Sequence, residues 1–270
     1  MTETTATAPN RYEDILYEEN NHVATITINR PGALNATRPQ TFVEMVDAVE
    51  HASRNRAIGV LVIRGAGDKA FSSGGDVQRL KGEPTPGYVE ADPRSVHLAI
   101  RHCGKPVIAV IKGYAIGLGN HLAYFCDLTI AAENAIFGQV GPRIGSPAEG
   151  WIVSYSARVL GSKKARELWM LCRRYNAQQA LEMGLVNVVV PLDQLDAEVD
   201  KWCEEILALS PTCLRIVKES FESDIDYLRD PSRDHFRRML APDFLDTEES
   251  QEGKQAFREK RKPNYNKYRE

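Results

Sequence analysis

Two glycine-containing turns in this chain expose backbone amides that a ligand could use. The first, GYAIGLGNHLAYFCD at 113–127, joins the apolar, β-branched run Pro106–Lys112 to a segment where Leu118, His121 and Leu122 share one face at helical spacing. A helix start leaves N–H groups without intrahelical partners, and glycine lets a ligand approach them closely. Amides that converge on one point stabilise a developing oxyanion. The second glycine-containing turn is KAFSSGGD at 69–76, and the same expectation applies to it.

Other reactive-looking residues lack the company their chemistry needs. Ser72 and Ser73 have no GxSxG elbow around them, so they do not read as nucleophiles. SSGGD is not a phosphate loop, because no GK(S/T) follows. His97 and His102 flank a helix and read as structural. Trp151, Trp169 and Trp202 fit amphipathic helix faces and read as core or interface residues. Five cysteines, widely spaced and without a CxxC pair, point to neither a disulfide framework nor a zinc site.

The elements that must hold these turns alternate. Ile15–Glu18 and His22–Asn29 are extended segments around a turn, and Thr41–Ala52 is helical through Phe42, Met45, Val46 and Val49. Gly59–Arg64 is a buried strand, 65–76 a loop, and Ser95–Cys103 a helix. Pro106–Lys112 leads to the opening helix, and Asp127–Ala131 is a further strand followed by 135–139. Strands alternating with helices imply parallel pairing and right-handed crossovers. The proline- and glycine-rich stretch Gly82–Pro93 is either a surface linker or a lid that could close with Tyr88. Helices are expected at Trp151–Leu160, Lys163–Leu171, Ala177–Met183, Leu192–Leu209, from Pro211, and over 229–240 and 247–259, with LVNVVV one more strand. A helical final third after an α/β core suggests a lid or an oligomer interface.

At 270 residues and 30.2 kDa the chain can bury a sizeable core, and 43% hydrophobic with 26% charged residues is ordinary for a soluble globular protein. A net charge of -3 makes no general case for nucleic acid or membrane, although Lys254, Arg258, Lys260, Arg261 and Lys262 make the tail locally basic. The opening MTETTATAPN has no signal-peptide order and no run approaches membrane-spanning length, so a cytoplasmic protein with a disordered leader is expected.

Four stretches, in this order and spacing, carry a resemblance: RPGALNA at 30–36, KAFSSGGD at 69–76, GYAIGLGN at 113–120 and CDLTIAAENAIFGQVGPRIG at 126–145. From about Tyr12 to Tyr268 the chain resembles the crotonase (enoyl-CoA hydratase/isomerase) superfamily. FGQVGPRIGS, KKARELWMLCRRY, ALEMGLVN and DTEESQEGKQAFREKRKP make it most similar to the 1,4-dihydroxy-2-naphthoyl-CoA synthase and 2-ketocyclohexanecarboxyl-CoA hydrolase groups within it. The resemblance implies an α/β fold, a crotonase (ClpP-like) spiral of ββα units forming two nearly perpendicular sheets. After the leader, taken as 1–11, the expected layout is a spiral core over 12–208 and, over 209–270, the helical C-terminal lid and trimerisation region that the resemblance implies, giving trimers or hexamers. The resemblance also implies acyl-CoA thioester substrates, with coenzyme A as part of the substrate, no other cofactor and no metal.

By the family pattern the thioester oxygen is held by the amides of Gly75 and Leu118. Leu118 departs from the usual glycine; it keeps the amide but restricts the backbone and brings a bulky side chain. The resemblance places coenzyme A against the backbone around Ala36 and from Ala70 to Ser72, with Lys260 reaching a phosphate from a neighbouring subunit. Hydratases of the family carry glutamates at the positions of His121 and Gly141. The naphthoyl-CoA synthase pattern has SxD and a tyrosine where this chain has Ser146 with Ala148, and Leu245. Glu149 and His121 are then the candidates for proton transfer, with Asp76 more suited to bracing its loop. The expectation is an enzyme that makes or hydrolyses a carbon–carbon bond of a cyclic β-keto acyl-CoA through a thioester enolate. The alternatives are a hydratase or isomerase of an unusual enoyl-CoA, and a catalytically silent acyl-CoA-binding paralogue.

Overall fold

The computed structural model describes residues 12–76, 94–146, 148, 150–223, 241–265 and 268. The expected leader, the Gly82–Pro93 segment with Tyr88, the 229–240 helix and Glu149 lie outside the described residues.

Two parallel-rich sheets are wound together by one repeating pattern. The first has the order β1-β2-β3-β5-β7-β10, formed by β1 (Ile15–Asn20), β2 (Val23–Ile28), β3 (Val60–Gly65), β5 (Val107–Ile111), β7 (Leu128–Ala132) and β10 (Val188–Val190). The second has the order β4-β6-β8-β9, from β4 (Ala70–Ser72), β6 (Tyr114–Ile116), β8 (Ile136–Gly138) and β9 (Arg174–Asn176). In the three middle turns, β3–β4, β5–β6 and β7–β8, a strand of five or six residues in the first sheet is followed by a three-residue strand in the second before the next helix. The parallel pairing expected from the alternation is present except at the ends, where β1–β2 and β8–β9 are antiparallel. Strand β4 sits inside the expected 65–76 loop, β6 inside the strand-to-helix turn, and β8 in the 135–139 segment that the alternation of strands with helices put after the fourth strand. Three residues are too few to show a period of two, so the apolar pattern does not reveal them.

Gly113 makes the passage from β5 to β6 possible. Its φ is +61°, and a Cβ there would overlap the carbonyl of Lys69. Strands β3 and β5 are buried on both faces, which is why they read as continuous apolar runs. One face packs on α1 (Pro39–Arg54) through Phe42, Met45 and Val49, on α2 (Arg94–His102) and on α3 (Leu118–Phe125). The other face meets α7 (Leu195–Leu207) through Leu195, Val199, Cys203 and Ile206. Helices α4 (Trp151–Leu160), α5 (Ser162–Leu171) and α6 (Ala177–Glu182) follow the periodicity closely. The expected 192–209 helix begins later, because Leu192–Gln194 forms a 3-10 turn.

The C-terminal elements fold back on the same chain. On α8 (Pro211–Ser223), the Lys218 ammonium donates to the Ile100 and Lys105 carbonyls at 2.9 and 3.0 Å and pairs with Asp127 at 2.7 Å. Helix α9 (Glu248–Arg258) lies on the 3-10 turn Gly141–Ile144; Gly253 touches the backbone there, and Ser250 donates to the Gly145 carbonyl at 3.3 Å. No helix among the described residues is long and apolar enough to cross a membrane.

Candidate active site

The two glycine turns meet. A Cβ on Gly74 would stand 2.8 Å from the Ile116 carbonyl and 3.6 Å from the Leu118 nitrogen, and one on Gly75 would stand 3.9 Å from Leu118 Cδ1. Gly119 lies so close to the Ser72 carbonyl that any side chain would overlap it. Gly117, with φ +56°, starts α3 without a side-chain cap, so the amides of the first turn are not consumed by capping. Neither Gly75 nor Leu118 donates its N–H to a described residue. Sequence reasoning paired these two amides; the fold brings them to one place, with the Leu118 side chain over Gly75.

A clamp made by the 30–37 segment holds the Gly75 turn. Ser73 donates to the Leu34 carbonyl at 3.0 Å, Thr37 to the Gly74 carbonyl at 2.8 Å, and Asp76 to the Thr37 carbonyl at 2.9 Å. Asn35 reaches the carbonyls of Ala66 and Ala70 at 2.9 and 2.7 Å. Arg30 donates to the Ala36 carbonyl and pairs with Asp76 at 2.9 Å, which gives Asp76 the bracing part. Ala36, Ala70 and Ser72 are buried, and the Ser72 hydroxyl accepts from the Gly74 amide at 3.2 Å. Around them, Lys69 is exposed and Ser73 half-buried, so these neighbours present the accessible surface of that stretch. Lys260 is exposed just past α9.

His121 lies one turn into α3, buried among His97, Tyr124 and Trp169 with ring centroids 5.8, 5.6 and 5.5 Å away. His97 stacks on Phe125 at 4.5 Å. None of the four imidazole nitrogens makes a hydrogen bond of good geometry. Burial pushes His121 down to about 4, opposed by the nearby Gln139 side chain, and burial with the neighbouring His121 pushes His97 well below the ordinary value. Both rings are neutral at pH 7.

Trp169 connects this cluster to a cavity of about 580 Å³. Ser146 and Ala148 line one side, with Trp169, Phe244, Glu249 and Tyr265 around it. Ser146 is exposed on the cavity rim, and its amide donates to the Gly141 carbonyl at 2.9 Å. A Cβ on Gly141 would in turn lie 2.6 Å from the Ser146 carbonyl oxygen. Position 141 therefore accepts no side chain unless the loop after Gly145 moves. Leu245 is exposed in the 3-10 turn Phe244–Asp246.

Sequence reasoning missed Thr37 and Arg30. They bracket the glycine- and proline-containing motif RPGALNA, and their significance depends on the facing strand far along the chain.

The sequence profile described as enoyl-CoA hydratase/isomerase matches residues 18–268. Among solved structures, the chain is similar to an enoyl-CoA hydratase from Mycobacterium avium subsp. paratuberculosis K-10, with 29% identity over 94% of this chain and 98% of that one and a TM-score of 0.81. It is similar to a carnitinyl-CoA hydratase from Mycobacterium avium at 30% identity, with 94% and 98% covered and a TM-score of 0.79. Methylmalonyl-CoA decarboxylase is similar at 27% identity, with 94% and 98% covered and a TM-score of 0.82.

Proposed function

The chain belongs to the enoyl-CoA hydratase/isomerase family, the crotonase superfamily, and from that premise we propose that it cleaves or forms a carbon–carbon bond of a cyclic β-keto acyl-CoA. In the cleavage direction water adds to the ring ketone, and the bond from that carbon to the thioester α-carbon breaks. The electron pair passes into the thioester as an enolate, which the Gly75 and Leu118 amides stabilise. Protonation of the α-carbon then leaves a ring-opened acyl-CoA bearing a new carboxylate. Preorganised donors at a developing oxyanion are each worth about 10²- to 10³-fold in rate, so this pair of amides carries more of the reaction than any single side chain. His121 and Glu149 are the proposed proton carriers, and Ser146 the polar contact at the cavity rim. Ala36, the Ala70–Ser72 stretch and Lys260 are proposed to meet coenzyme A, in trimers or hexamers of the chain.

The observation that carries this reading is at Gly141. The resemblance puts a hydratase glutamate there, and the contact with the Ser146 carbonyl leaves no room for one. His121 occupies the other glutamate position as a neutral, buried imidazole. Decarboxylation, the activity named for one similar structure, is itself a carbon–carbon cleavage. The two similar structures named as hydratases favour a second reading, hydration of an unusual enoyl-CoA.

Side-by-side assays of 2-ketocyclohexanecarbonyl-CoA, o-succinylbenzoyl-CoA and crotonyl-CoA separate these readings. The expected result is turnover of the first or second at least about 10²-fold faster than crotonyl-CoA hydration, the scale of one lost acid or base group. Rapid crotonyl-CoA hydration with neither of the others consumed would overturn the proposal.

A further inference from the structure

We infer that Thr37 is a positioning residue for the reaction: its hydroxyl and amide together lock the peptide that presents the Gly75 N–H. The inference rests on the oxyanion reading above and adds the device that aims one of its two donors.

The argument is geometric. A peptide is planar, so the Gly74 carbonyl and the Gly75 N–H belong to one rigid unit and point in opposite directions. Thr37 holds that carbonyl twice, through its N–H at 2.8 Å and its hydroxyl at 3.2 Å, filling both lone pairs. With the carbonyl pinned toward Thr37, the Gly75 N–H must point away from the 30–37 segment. Gly74 and Gly75 lie against Ile116 and Leu118, and β6, which runs on into Leu118, pairs with β4; on this inference the Gly75 N–H faces that side.

A pin is needed because of the residue it acts on. Gly74 has φ +101°, a conformation open to glycine, and glycine opposes peptide rotation less than any other residue. Of the four amides from Ser73 to Asp76, three are spent internally, on Leu34, the Ser72 hydroxyl and Thr37; the Gly75 amide alone donates to no described residue. Thr37 is itself 2% exposed, and the Arg30–Asp76 pair closes the other end of the clamp. Two bonds to one carbonyl also polarise the peptide, which strengthens its N–H as a donor.

Thr37→Val removes the hydroxyl, preserves the shape and leaves the backbone bond in place. The direct readout is the infrared carbonyl stretch of cyclohexanecarbonyl-CoA, labelled with carbon-13 at the thioester and bound to the enzyme. Wild type is expected to shift the band to lower frequency, and Thr37→Val to recover much of the free-thioester value, while Thr37→Ser keeps the wild-type shift. With the proposed β-keto substrate, kcat should fall about 10-fold in Thr37→Val with KM within about threefold, part of the loss expected for a whole donor. If Thr37→Val lacks a native circular-dichroism spectrum, Thr37→Ala carries the same expectation. A wild-type band shift unchanged in the variant without the hydroxyl, or a shift lost in Thr37→Ser, overturns the inference. No band shift in wild type would instead sink the oxyanion reading itself.

Discussion

At the scale of single residues, the buried imidazoles of His97 and His121 link the candidate site to stability. Their folded pKa values are depressed below the unfolded value of about 6.5, that of His121 to about 4. Between these limits the unfolded chain binds protons that the folded chain refuses, so stability falls as pH falls from about 6.5 and the His121 contribution is fully lost below about 4. The slope is on the order of 1 kcal/mol per pH unit for each histidine. Urea midpoints at pH 6.5, 5.5 and 5.0 should therefore drop with acid, and less steeply in His97→Phe, which keeps an aromatic ring against Phe125. Equal slopes in the two proteins would show that the imidazole is not responsible. Legibility in the sequence was uneven at this scale. The glycine turns could be singled out because glycine next to an apolar run is a local signal, and the resemblance picked the Gly75 and Leu118 amides within them. The seclusion of His121 could not, because it depends on His97 and Trp169, which arrive from other helices. Thr37 was silent for the same reason: an isolated threonine acquires its role from the carbonyl it faces.

At the scale of elements, helices with a clear apolar stripe were readable nearly to the residue, as α4 shows, and the alternation of strands and helices correctly implied parallel pairing. The second sheet was expected from the resemblance alone and was not readable in the apolar pattern, since β4, β6 and β8 have three residues each and owe their pairing to the strand beside them. Helix α8 shows how a readable helix finds an unreadable place. Its Lys218 ammonium is buried and spends its hydrogen bonds on Ile100, Lys105 and Asp127, tying together the end of α2, the start of β5 and the end of α3. Lys218→Met keeps the stem but leaves those acceptors without their cation. It should lower unfolding free energy by about 3 kcal/mol, the scale for breaking one side of a buried pair, as measured by chemical denaturation. A loss under about 1 kcal/mol would mean that apolar packing alone docks the helix.

At the scale of the whole molecule, the spiral places one wall of the cavity on the core and the other on the C-terminal elements. The exposed apolar side chains of α8, Ile216 at 61% and Phe221 at 72%, are a surface that the proposed trimer or hexamer would cover. Sedimentation velocity should then give a species of three or six chains, dissociating in an Ile216→Glu, Phe221→Glu double variant. A monomer in the unmodified protein would refute the assembly. The contact between Gly141 and the Ser146 carbonyl has a consequence for descent. A lineage moving between hydratase chemistry and the chemistry proposed for this chain would have to change the residue at 141 and the path of the following loop together. A glutamate introduced first has nowhere to stand, and a loop displaced first loses the contact that seats it. On the proposed function, homologues with either activity are expected to differ at both places or at neither.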